Sequence, residues 1–241
     1  MKNKIYNKTP YCILTAILML LPLSVRASAD DDSEKGGLIM QTGVSLMQQK
    51  KYSAAADKFL HLLEFGHLYG SDFAKSQRSF LIGYIKWTVK ACPDCRRRVL
   101  KTYGNLLRKA RDFTIHPNEM GVLAETGTLL SAENELIATY DAMLEARPGH
   151  AMLASMTDEI FNLLYDSRRY ETIVCYLDLV QRAEKEMDTY NGLEGGMLRS
   201  YAKDGLIHQF LKYVAIYTSL GRKENSNRIK MMIDRLTGIS K

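Results

Sequence analysis

A two-helix spacing recurs along this chain of 241 residues and limits what the chain can fold into. Around Tyr52, the run Gly43-Val44-Ser45-Leu46 is followed by a short polar break. Tyr52, Ala55, Phe59 and Leu62 then follow at steps of three and four. Around Tyr170, Ile160, Phe161 and Leu164 precede the break, and Ile173, Leu177 and Val180 follow it at the same steps. Steps of three and four place apolar side chains on one face of an α-helix. A hairpin of two such helices cannot bury its own apolar face, so hairpins must stack on one another. The expected fold is therefore all-α, a pile of antiparallel helical hairpins. At roughly 34 to 45 residues per hairpin there is room for about five.

The remaining segments read the same way. Leu38 to Gln49 and Ser53 to Phe65 form the first hairpin. Ser71 to Ala91 is a long helix with Phe80, Leu81, Tyr84 and Trp87 or Thr88 on one side, and Ser71 is its expected cap. Pro93 opens the next helix at a first-turn position, where its missing amide hydrogen costs nothing. Pro117 opens another, and Arg147-Pro148-Gly149 stops the one after it. Met152 to Leu164 and Arg169 to Met187 are expected as single helices. Tyr190 to Leu220 is expected as one helix or two, interrupted at its glycines. Ile229, Met232, Ile233 and Leu236 stripe the last. No segment alternates with the period of a strand.

The two ends carry different signals. Lys2, Lys4 and Lys8 precede an apolar run from Tyr11 to Leu23, and Ala27-Ser28-Ala29 is a small-x-small site. This layout predicts a secretory signal peptide over residues 1–29, cleaved after Ala29. The run is short of the about 20 apolar residues a spanning helix needs. Residues 30–37, acidic and glycine-ended, are expected as a disordered leader, and 38–241 as the helical domain. The chain has 33 Lys and Arg against 27 Asp and Glu. Four of the basic residues and none of the acidic ones lie in the signal, which leaves 29 against 27. That near balance argues against a nucleic-acid partner. An exported chain, periplasmic or secreted, is the expected setting.

The hairpin pattern resembles the tetratricopeptide repeat family. Gly43, Leu46, Tyr52, Ala55, Phe59 and Leu62 match its alternation of small, large apolar and aromatic residues. Leu123, Ala124, Gly127, Leu136, Tyr140, Met143 and Pro148 match it too, with Glu133 where the family has tyrosine. Ile160, Leu164, Tyr170, Ile173, Leu177 and Val180 match in type but lack the small residues. The unit length departs from the family, since two units between positions 52 and 133 would each be about 40 residues against the usual 34. The resemblance implies a concave groove lined by the first helix of each unit. That groove would carry Met40, Val44, Met47 and Gln48 in the first unit, and Asp158, Asn162, Tyr165 and Asp166 in the unit around Tyr170. Such a groove binds an extended or helical peptide. Met40, Val44 and Met47 fit a core stripe equally well.

One local motif has chemistry to offer. Cys92-Pro93-Asp94-Cys95 places two thiols at a helix start, followed by Arg96, Arg97, Arg98 and Lys101. In an oxidising compartment a structural disulfide between Cys92 and Cys95 is expected. The string also resembles the active-site motif of thioredoxin-like proteins, a family that places it after a strand, whereas a helix precedes it here. One C-x-x-C supplies two of the four ligands of a structural zinc site, so neither metal nor cofactor is expected. Cys175, on an apolar face, reads as a buried free thiol. Between Lys86 and Arg111 there are nine basic residues, Arg108 among them, and one acid. This patch suits an acidic partner or an anionic membrane surface, or is simply a solvated face. No phosphate loop, H-E-x-x-H or G-x-S-x-G is present.

The leading expectation is a non-enzymatic, exported adaptor or scaffold that binds a protein or peptide. The alternatives are a thiol-disulfide oxidoreductase built on the C-P-D-C motif and a sensory domain for a small molecule held between helices.

Overall fold

A computed structural model describes residues 31–194 and 196–238. The described residues form twelve α-helices, one 3-10 turn and no strand. They are α1 (Asp31–Gln48), α2 (Tyr52–Phe65), α3 (Ser71–Ala91), α4 (Pro93–Arg111), α5 (Pro117–Leu130) and α6 (Glu133–Ala146). α7 (Met152–Glu159), α8 (Phe161–Asp166), α9 (Tyr170–Tyr176), α10 (Leu179–Asn191), α11 (Gly196–Ser219) and α12 (Lys223–Thr237) follow, with the 3-10 turn at Gly66–Tyr69. The signal peptide expected over residues 1–29 lies outside the described residues.

Five of the breaks between helices share one construction. At Lys50, Phe113, Ser131, Arg168 and Gly221 the backbone takes a positive φ. At each, two hydrogen bonds close the preceding helix. Lys51 N–H donates to Leu46 O at 2.9 Å while Lys50 N–H donates to Met47 O at 2.9 Å. Ala132 and Ser131 repeat the pair on Gly127 and Thr128, Arg169 and Arg168 on Leu164 and Tyr165, and Arg222 and Gly221 on Tyr217 and Thr218. Thr114 and Phe113 do so on Lys109 and Ala110. This double bond satisfies carbonyls that a helix end would otherwise leave bare. Four of the five turns use a residue other than glycine in a conformation costing about 1–2 kcal/mol, so tertiary packing holds them there.

Packing follows chain order. α1 meets α2 and α3, α2 meets α3 and α4, and α3 meets α4 and α5. α4 then meets α5 and α6, and α5 meets α6 and α7. Side chains of these helices form one apolar cluster that runs from Met40 in α1 to Leu236 in α12. Two glycines permit close contacts inside it. A Cβ on Gly43 would lie 2.5 Å from the Phe59 ring, and one on Gly127 would lie 2.9 Å from the Tyr103 hydroxyl. Both positions are small residues in the pattern the sequence displays.

Several boundaries differ from expectation. Helix α1 begins at Asp31, so residues 31–37 are its first turns and not a disordered leader. Asp32 and Glu34 suit that end of the helix dipole, Lys35 pairs with Asp32 at 3.1 Å, and Gly36 is buried. Gly70, at φ 90°, precedes α3, and Ser71 is the first helical residue, not the cap. The segment expected as one helix from Arg169 to Met187 breaks at Leu177, whose backbone is extended. Asp178 then caps α10 by accepting from Val180 and Gln181 N–H at 3.0 and 3.1 Å. A smaller break at Ile160 separates α7 from α8. Residues 196–219 form a single helix through Gly205.

Candidate functional site

The four residues expected to line the groove in the first unit do not make a binding face. Met40 is 6% exposed and belongs to the core. Val44 and Met47 are half-buried and pack against that core, and only Gln48 faces solvent. The reason is the pairing of α1 with both α2 and α3, which uses up its apolar stripe.

The second set lies together, and opposite side chains from later in the chain. The Asp158 carboxylate accepts from the Arg182 guanidinium of α10. Asn162 Oδ1 accepts from Lys212 Nζ of α11 at 2.8 Å, and the same ammonium sits 5.6 Å from the centre of the Tyr165 ring. Beneath this polar layer, the Phe161 and Tyr213 rings meet edge to face at 5.7 Å, with Arg182 5.9 Å over Phe161. Arg182 Nε also donates to Glu186 Oε1 at 3.0 Å. Burial pushes the Tyr213 hydroxyl well above its usual range, with Arg182 pulling it back. Asp166 is exposed at the end of this row. The arrangement is a seam with Asp158 and Asp166 on one wall and Arg182 and Lys212 facing it from the other.

The cysteines are bridged, Cys92 to Cys95, with Cα atoms 5.2 Å apart. Cys92 is the N-cap of α4, and Cys95 N–H points to its sulfur at 3.2 Å. Cys95 is buried, its sulfur 3.7 Å from Tyr52 O, while Cys92 is half-exposed. Cys175, expected to be buried, is an exposed free thiol. Helix α9 is one short piece that turns Ile173 inward, and a residue two positions on faces away.

The basic patch divides. Arg98 turns back to α2, where it pairs with Asp57 and reaches Ser53 O at 3.4 Å. Arg97 pairs with Asp94, Arg108 donates to Asn105 at 3.0 Å, and Arg111 to Thr139 at 3.2 Å. Lys86, Lys90, Arg96 and Lys101 are exposed and without a hydrogen bond or ion pair among the described residues.

Sequence reasoning missed a charged cluster between α3, α4, α5, α7 and the 3-10 turn. Glu119 is 3% exposed. Its carboxylate accepts from Lys109 Nζ at 3.0 Å and from His116 N–H at 2.8 Å. His67 Nδ1 is 3.4 Å away, and the His67 and His116 rings stack at 5.0 Å. Burial holds the His67 imidazole below its usual range, against the pull of Glu119. Nearby, Arg78 Nε donates to Glu125 at 2.8 Å and Nη1 to Glu159 at 3.0 Å, tying α3 to α5 and α7. A Cβ on Gly121 would lie 1.6 Å from that Nη1, so only glycine lets the guanidinium reach both acids. Burial raises the Glu125 carboxyl, Arg78 opposes it and Glu159 adds to it. The adjoining cavity, lined by Met40, Leu62, His67, Leu81 and Glu119, holds about 20 Å³, room for about one water. The cluster is thus a structural tie. An open cleft of about 420 Å³ between α10 and α12 is lined by Asp178, Gln181, Glu184, Asn225 and Arg228.

Among the described residues no group of three or more His, Cys, Asp or Glu side chains is placed to hold a metal, and no helix is long and apolar enough to cross a membrane. Compared with protein-family models, with curated proteins and with solved structures, the chain matches none.

Proposed function

We propose that the chain is a non-enzymatic adaptor or scaffold, exported by its N-terminal signal, that holds a protein or peptide on a face of stacked helical hairpins. One observation supports this reading: from α1 to α5 each helix packs on the next and the next-but-one in chain order, and five of the joints along the chain use one recurring turn. That is the arrangement expected of a tetratricopeptide-like solenoid, whose units present repeated side chains along a surface. The binding face is the seam where Asp158, Asn162, Tyr165 and Asp166 stand opposite Arg182 and Lys212. Its opposed charges suit a peptide carrying both signs, which would exchange with the internal pairs. The first-unit residues Met40, Val44 and Met47 take no part, being packed in the core.

The test is capture of a partner from extracts of the source organism by the wild type, by Asn162→Arg and by Tyr165→Ala. Both positions are partly exposed, so the variants should keep their helical circular dichroism. Loss of one partner in both variants supports the seam. An identical set of captured proteins in all three refutes it.

A second reading rests on the C-P-D-C turn. Cys92 is the more exposed sulfur, at a helix N-terminus that favours thiolate, and it receives the Cys95 N–H. Those features suit thiol-disulfide exchange. Insulin reduction by wild type and Cys92→Ser decides it: equal and negligible rates eliminate an enzyme.

A further inference from the structure

The only tryptophan in the chain stands outside the fold. Sequence periodicity puts Trp87 or Thr88 on the core side of α3. The structure buries Thr88, 2% exposed, with Leu81 and Ile85, and leaves Trp87 69% exposed and Phe80 37% exposed. Trp87 and Phe80 are seven residues apart, two turns along one helix face. Lys86 and Lys90 share that exposed side, and both lack a partner. No acidic residue occurs from Ser79 to Cys92. One residue beyond the end of α3 the chain turns at Cys92 into α4, where Arg96 and Lys101 are also exposed and unpaired.

We propose that this face of α3, with the start of α4, docks on an anionic phospholipid bilayer. Tryptophan favours the boundary between headgroups and acyl chains, and lysines beside it can extend to the phosphates. A helix with apolar rings between cations lies along such a surface without crossing it. Asp94, the acid at the start of α4, is paired with Arg97, so the charges left over on this surface are cations, and a fluid anionic surface asks for no fixed register against them. A second copy of the chain is disfavoured, because the same unpaired cations would meet. The proposal is independent of the seam at Asn162, and either can fail alone.

Trp87 is its own probe, since no other tryptophan contributes to the emission. Full-length protein is titrated with vesicles of two parts phosphatidylcholine to one part phosphatidylglycerol, and with phosphatidylcholine alone. Lys2, Lys4 and Lys8, ahead of the apolar run at Tyr11 to Leu23, would themselves favour anionic lipid, so the face is isolated by the difference between wild type and K86Q/K90Q, which share that segment. The expected result is a blue shift with the anionic vesicles that is absent with the neutral ones and reversed by salt. At about fivefold per cation, K86Q/K90Q should weaken binding about 25-fold with unchanged circular dichroism. By co-sedimentation, Trp87→Ala should weaken it several-fold. An equal shift with neutral vesicles, or an unchanged titration in K86Q/K90Q, would overturn the proposal. So would a shift of the same size with polyglutamate in place of vesicles, which would assign the face to an acidic protein.

Discussion

From α1 to α7 each helix is gripped by two or more neighbours, and Arg78 ties α3, α5 and α7 at one point. From α10 to α12 the helices pack on one another, and they reach back to residues 152–176 through side chains. Those links are Arg182 to Asp158, Lys212 to Asn162, Arg222 to Glu171 at 3.8 Å, and the Phe161–Tyr213 ring contact. The start of α11 carries Leu198 and Tyr201 largely exposed, at 67% and 73%. The contrast locates the pliable part of the molecule. Helix backbones approach less closely across this join than within α1 to α7, and over an apolar floor that continues the core its polar layer of partly exposed ion pairs is worth little and is weakened by salt. The proposed seam lies on the weaker side.

Four perturbations sharpen this contrast. The largest effect is expected from Phe59→Ala, which empties the fully buried ring site against Gly43 and Tyr84. It should cost about 3–5 kcal/mol in denaturant unfolding, and a loss under about 1 kcal/mol would mean the first region is loosely packed. Alkali comes next. Burial pushes the Tyr140 hydroxyl up to about 12, and it raises Tyr103 as well. A folded-state value above the ordinary 10 means that their contribution is complete below pH 10 and lost as the pH rises toward 12. Thermal stability of the first region should fall across that window, with tyrosinate absorbance appearing as it unfolds. Arg78→Met leaves Glu125 and Glu159 facing each other and should cost about 1–2 kcal/mol. Restoration at pH 4, where Glu125 takes up its proton, would identify carboxylate repulsion as the cause. Arg182→Met, at the join, should cost no more than about 1 kcal/mol and should reduce the salt sensitivity of α10 to α12, with Lys212–Asn162 and Arg222–Glu171 still in place. Equal losses from Arg78→Met and Arg182→Met would erase the distinction between the regions.

Much of the fold was legible because chain punctuation is local. Pro93 and Pro117 open helices where a missing amide hydrogen costs nothing, and Pro148 follows one that has ended. The pattern of small and aromatic residues groups Gly43 with Phe59 and Gly127 with Leu136, pairs that lie together in the structure, while Tyr103, nearer still to Gly127, stands outside that pattern. The break at Leu177 was also within reach, since Asp178 followed by Gln181 three residues on is a helix-start signature. It was masked by an apolar period that continues through Val180. The orientation of α3 was not legible. Phe80–Tyr84–Trp87 and Leu81–Ile85–Thr88 are both helical stripes, and only packing against α2, α4 and α5 selects the second. The Glu119 and Arg78 clusters join residues up to 81 positions apart, and no local spacing announces them. For the same reason the partners of Asp158 and Asn162 emerged only from the structure, although the row itself stood out in the sequence.

Native-state hydrogen exchange, read helix by helix at low and high salt, tests the contrast most directly. Amides of α2 to α6 should exchange only through global unfolding, at rates that salt leaves unchanged. Those of α10 to α12 should open at lower free energy, and faster in salt, as the Asp158–Arg182 and Asn162–Lys212 links are screened. One common opening free energy for both regions, indifferent to salt, would contradict a pliable join and remove the physical basis for placing a partner there.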